Sequence, residues 1–217
     1  MELTKASKPN DLIYFGTYPS SLVKDEQLIT KLNSILFNQY CVGVLDGKKY
    51  LKCVDEYYEF TNLEWIVLQK KPNGIFKLIT KNIIDVCPRE VKSNITPRGS
   101  RKGNYIYAVF PNRAFSERER GMLQMTIRED GSNQEYLFVD FPDASVAEKI
   151  ADIPIELSDY VKRLYDGLDS YHLYKRSFNS FAGALYESFN IEKKEVFLES
   201  NPFFPLGLRP VIEVKVE

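Results

Sequence analysis

The strongest alternation along the chain is LEWIVLQ at 63–69, where Leu63, Trp65 and Val67 share one face and Ile66 and Leu68 the other. Lys71-Pro-Asn-Gly74 follows with turn chemistry, and IFKLIT resumes the two-residue period. Apolar residues on both faces predict a β-hairpin in the middle of a sheet. Leu12 to Phe15 predicts a short strand closed by a turn at Gly16–Pro19, and Tyr50 to Val54 a strand after an Asp46-Gly47 turn. Leu28, Ile29, Leu32, Ile35 and Leu36 keep helical spacing, with Asp25 placed as N-cap. Ser116-Glu-Arg-Glu119 reads as a capping box opening a helix that carries Met122.

The stretch from Arg89 to Asn104 is polar and basic and predicts an exposed loop, followed by an apolar run from Tyr105 to Phe110. Glu129–Asn133 predicts a turn and Tyr136–Val139 a strand. Leu157, Val161, Leu164 and Leu168 form one helical stripe, and Phe178, Phe181, Ala182, Leu185, Tyr186 and Phe189 a second. Val196–Leu198 and Val211–Val216 close the chain as strands, the last with Ile212, Val214 and Val216 on one side and Glu213 and Lys215 on the other. Neither a repeat nor a low-complexity linker interrupts the pattern, so residues 1–217 are expected to form one domain. Irregular alternation of short strands and helices predicts a mixed α+β fold rather than a doubly wound parallel sheet.

Composition narrows the function classes. Lys and Arg number 29 against 30 Asp and Glu, so no overall field favours nucleic acid or an anionic membrane. The N-terminus does not read as a signal peptide, and no apolar run approaches a membrane span. Three widely spaced cysteines, Cys41, Cys53 and Cys87, read as reduced thiols in a cytoplasmic setting.

Candidate chemistry is sparse. His172 is the single histidine, and the spacing of Cys and His supplies no zinc ligand cluster, so neither metal nor cofactor is expected. A degenerate or unusual enzyme using Cys87 or His172, with a Cys–His nucleophilic pair as one form of it, is the enzymatic alternative, set against a buried inert thiol at Cys87. The segment PRGSRKGNYIY sets Arg98, Arg101 and Lys102 beside Tyr105 and Tyr107, a combination that can hold single-stranded nucleic acid. A solvated loop leading into a buried strand is the preferred reading there, because the chain as a whole is not basic.

Several short motifs, taken in order, carry a resemblance. FGTYPSSLVKDEQLITKL, LEWIVLQ, FKLITKNIIDVCP, RAFSERERGML, VFLES and GLRP resemble, in sequence order, an uncharacterised bacterial domain family related to formylglycine-generating enzymes and the C-type-lectin-like fold. The resemblance implies a twisted antiparallel core sheet with flanking helices, long loops and a last strand returning to the core. It implies no activity. Formylglycine-generating enzymes bind copper through two late cysteines, whereas no cysteine follows Cys87. The calcium-binding motifs of C-type lectins do not occur, and the family's late Trp-Trp-Leu-Arg-Ser strand is replaced by Val196, Phe197 and Glu199. A non-catalytic interaction module with a protein partner is therefore expected. Arg209, between Gly207 and Pro210, is expected to be a scaffold residue, at least partly buried, donating to backbone carbonyls or a carboxylate.

Overall fold

The computed structural model describes residues 2–88, 109–130, 133–165, 168–179, 183–199 and 205–216. Fourteen strands and five short α-helices among these residues make a mixed α+β architecture whose sheets are mostly antiparallel. The larger sheet has seven strands. Its centre is β4 (Glu56–Lys70), whose one edge pairs with β3 (Lys48–Cys53) near its start and β5 (Ile75–Thr80) near its end. Its other edge runs beside β1 (Leu12–Leu22), while β2 (Val42–Leu45) lies outside β3. Strand β14 (Val211–Lys215) lies between β5 and β9 (Val139–Asp140). The predicted hairpin and its central position are thus observed, and Trp65, Ile66 and Val67 are fully buried.

The second sheet runs β12 (Glu195–Glu199), β11 (Gly183–Asn190), β10 (Ser170–Asn179), β13 (Pro205–Leu208) and β6 (Asp85–Pro88). Among the described strands of this sheet, only β10 and β13 pair in parallel. A small hairpin, β7 (Thr126–Asp130) with β8 (Asn133–Leu137), stands apart and brackets the turn expected at 129–133. One core joins the two large sheets: Trp65, Leu78 and Val214 pack in the same cluster as Tyr171, Leu173, Phe189 and Leu208. The opposite face of the seven-stranded sheet buries Ile66, Ile79 and Val211 under Val146 of α4 (Ala144–Lys149) and Ile150.

Asp25 caps α1 (Glu26–Leu32) as its side chain suggests, accepting from the Leu28 amide at 2.9 Å. The helix is shorter than the apolar spacing predicts, leaving Ile35 beyond its end and Leu36 exposed. The Ser116 capping box is present and opens α3 (Glu117–Met122), just after α2 (Phe110–Ala114). In the helix α5 (Asp159–Leu164), Val161 is buried, while Leu157 and Leu168 lie outside the helical turns.

Two expectations are corrected. The turn at Gly16–Pro19 is a bulge inside a strand that continues to Leu22. Tyr14 pairs with Glu64 and Thr17 with Asn62, so Phe15 and Gly16 face Leu63 alone. The Phe15 carbonyl freed by the bulge accepts from the Trp65 indole at 2.6 Å. The Gly16 amide donates to Glu119 Oε1 at 3.0 Å, while Oε2 of the same carboxylate closes the capping box. Gly16 has φ 74°, and an added Cβ would lie 2.7 Å from the Phe115 ring. Gly16→Ala is therefore expected to destabilise by about 2 kcal/mol, read as a lower urea midpoint. The second correction concerns 178–189. The apparent helical stripe is a hairpin, with Phe178 opposite Ala184 and Ser177 opposite Leu185. Its three-to-four spacing comes from counting across two strands that fold back on one another.

Candidate functional site

Two of the crossings by which the chain passes between the two sheets run side by side. Strand β5 leaves the larger sheet and becomes β6 through residues 81–84, and β13 returns to β14 through Arg209 and Pro210. Leu208 pairs with Asp85 and Val211 with Ile79, so two residues on one crossing face five on the other, Thr80 to Ile84. The excess is pushed outward as a broad bulge. Arg209 fills the space beneath it, donating from Nε to the Thr80 carbonyl at 2.8 Å and from an Nη to the Lys81 carbonyl at 2.7 Å. It is 1% exposed, and its guanidinium sits 5.5 Å from the centre of the Tyr171 ring. Burial lowers its pKa and Tyr171 opposes that change. Arg209 is thus the scaffold residue its Gly-Leu-Arg-Pro setting predicts.

The bulge forms one wall of a cleft of ≈ 450 Å³. Asn82, Ile83 and Ile84 come from the bulge, residues 61–64 from the middle of β4, Tyr14, Tyr18, Pro19 and Ser20 from β1 on either side of its bulge, and Glu156 and Ser158 from the segment leading into α5. The departures from regular pairing in β1 and between β5 and β6 therefore open the cleft. Asn82 Oδ1 accepts from the Glu156 amide at 2.9 Å, fixing the approach of the fourth wall. Glu64 is held by Lys81 at 3.1 Å. Ile83, Ile84 and Leu63 are buried, so the cleft has apolar lining under a polar rim.

Tyr18 lines the cleft and links it to a buried polar network. Its hydroxyl donates to Asp85 Oδ2 at 2.7 Å, and Tyr160 of α5 approaches the same carboxylate at 3.4 Å. The Val86 amide donates to Oδ1 at 2.8 Å. Burial pushes Asp85 above the ordinary carboxylate range, against the pull of Tyr18, the Val86 amide and Arg113. Burial also disfavours the Arg113 charge, but Tyr18, Tyr160 and Asp85 outweigh it and raise the guanidinium pKa. Tyr160 is raised, first by burial and then by Asp85. Asp85, Tyr18 and Tyr160 are each at most 5% exposed. They satisfy one another and tie β1, β6 and α5 together. Sequence reasoning did not single out this network, although a carboxylate inside the apolar run Ile83-Ile84-Asp85-Val86 was a usable signal.

The candidate residues Arg98, Arg101, Lys102, Tyr105 and Tyr107 lie outside the described residues. Strand register places the backbones of His172 and Cys87 two strands and two residues apart. Standard sheet spacing makes that roughly 12 Å, which does not favour the nucleophile–base pair. Among the described residues, no group of three His, Cys, Asp or Glu side chains could hold a metal ion, and no helix is long and apolar enough to cross a membrane. No family model, curated protein or solved structure matches the chain.

Proposed function

We propose that the chain is a non-catalytic interaction module that binds a protein partner in the cleft between β1, β4 and the 81–84 bulge. The observation that carries this reading is the pairing of an open cleft with a buried acid network that is wholly engaged in holding its walls. Such a site is preorganised to bind, since its walls are fixed by elements of both sheets. The scaffold is proposed to be of the C-type-lectin-like kind. A mostly antiparallel core and a final strand, β14, inserted between β5 and β9 support that assignment. We place the module in the cytoplasm, with Cys41 and Cys53 as free thiols.

Site-specific photo-crosslinking in cells of the source organism tests the interaction. A benzophenone side chain at Asn62, which lines the cleft, is expected to give a discrete protein adduct. The same group at Lys193, an exposed residue remote in sequence from every cleft wall, serves as the control. Adduct formation at Lys193 alone, or at neither position, would overturn the proposal.

A further inference from the structure

We infer that the cleft receives a basic side chain of its partner, with arginine as the best fit. The inference rests on the protein-binding reading and specifies its chemistry. Among the described residues, both charged side chains that line the cleft, Glu64 and Glu156, are carboxylates. Lys81 neutralises part of the Glu64 charge from outside the lining, while Glu156 is exposed at the rim. Asn82 lines the cleft with them; its Oδ1 accepts from the Glu156 amide at 2.9 Å and keeps a second lone pair for a further donor.

The remaining lining suits the rest of such a side chain. Tyr14 is 44% exposed and offers a ring face for a cation. Ile83 and Ile84 are 1% and 6% exposed and form only the closed floor of the cleft, so the aliphatic stem would rest on the exposed Tyr14 ring with its charged head at the carboxylate rim. A guanidinium satisfies this arrangement better than an ammonium, because it is planar, less strongly hydrated and able both to stack and to pair with a carboxylate. Among the described residues, an acidic side chain would meet two carboxylates and no lining cation.

The test is a ¹⁵N–¹H correlation titration of the whole chain with the capped peptide Ac-Gly-Arg-Gly-NH₂. Its neutral isostere with citrulline and its Glu counterpart serve as comparison probes. The arginine probe is expected to move amides of 61–64, 82–84 and 156–158, with the citrulline probe about tenfold weaker and the Glu probe inert. Glu156→Gln should weaken the arginine probe by about fivefold, and about 0.5 M salt should do likewise. Because Glu156 is an exposed rim residue, this variant leaves the fold intact. Glu64→Gln is a second variant that checks the opposite wall. Equal binding of arginine and citrulline probes, or no movement of these amides, would overturn the inference. If that happens while Asn62 still captures a partner, the interaction module stands and only its cationic specificity falls. If the arginine probe binds but no partner is captured, the cationic site stands and the protein-binding reading falls.

Discussion

Replacing Arg209 with methionine is expected to cost about 4 kcal/mol of folding stability. The substitution keeps an unbranched stem in the core but removes both donors. The Thr80 and Lys81 carbonyls, which accept from Arg209 at 2.8 and 2.7 Å, then lose their partners where the crossing is most irregular. Each unpaired buried carbonyl carries a penalty of about 1–3 kcal/mol, and the stacking on Tyr171 is lost as well. Arg209→Lys should restore little of this, because one ammonium cannot reproduce a fork aimed at two successive carbonyls. Urea denaturation at fixed pH measures the effect, with an unchanged slope and a lower midpoint. A loss below about 1 kcal/mol for the methionine variant would show that the bulge is supported by other contacts.

Asp85→Ala is expected to cost about 3 kcal/mol, for a different reason. It removes the acceptor shared by Tyr18, Tyr160 and the Val86 amide and leaves the half-buried Arg113 beside two tyrosines without its carboxylate. Asp85→Asn keeps an acceptor for Tyr18 and should cost less. The two variants also separate charge from hydrogen bonding. Burial raises the Asp85 pKa in the folded protein, so the native state holds this proton more tightly than the unfolded chain does. The associated stability is complete below the unfolded value of about 4 and is lost as pH rises through the folded value. Wild type should therefore lose stability relative to Asp85→Asn across that window. Parallel curves for the two proteins from pH 3.5 upward would contradict the raised value (about 3.5 is chosen to lie below the unfolded pKa).

The fold was legible where side-chain period and local chemistry agreed. LEWIVLQ and IFKLIT alternate over consecutive residues around a Pro-Asn-Gly turn, and they form the centre of the larger sheet. Asp25 and Ser116 cap the helices they precede, because capping depends only on residues three positions away. Arg209 was legible because Gly207 and Pro210 restrict the backbone on either side of it. Gly16 misled because a glycine with positive φ serves a turn and a bulge equally, and only the partner strand decides between them. The stretch 178–189 misled because apolar residues on two arms of a hairpin can imitate helical spacing.

The cleft was not legible for a more basic reason. Its walls come from Tyr14, residues 18–20, 61–64 and 82–84, Glu156 and Ser158, and no local period records that they converge. Convergence follows from the mismatch of two residues against five between the crossings, a property of two strands nearly 130 positions apart. Asp85 was visible as a charge in an apolar run, but its partners Tyr18 and Tyr160 are 67 and 75 residues away. The basic segment holding Arg98, Arg101, Lys102 and Tyr105 stands out by composition alone and lies outside the described residues.

The most direct measurement is an amide hydrogen-exchange footprint of the purified complex with the partner captured through Asn62. Binding in the cleft predicts added protection at 61–64, 82–84 and 156–158, with the outer strands β2 and β12 unchanged. Protection confined to β2, β12 or another surface, with the three cleft segments exchanging as in the free chain, would contradict it.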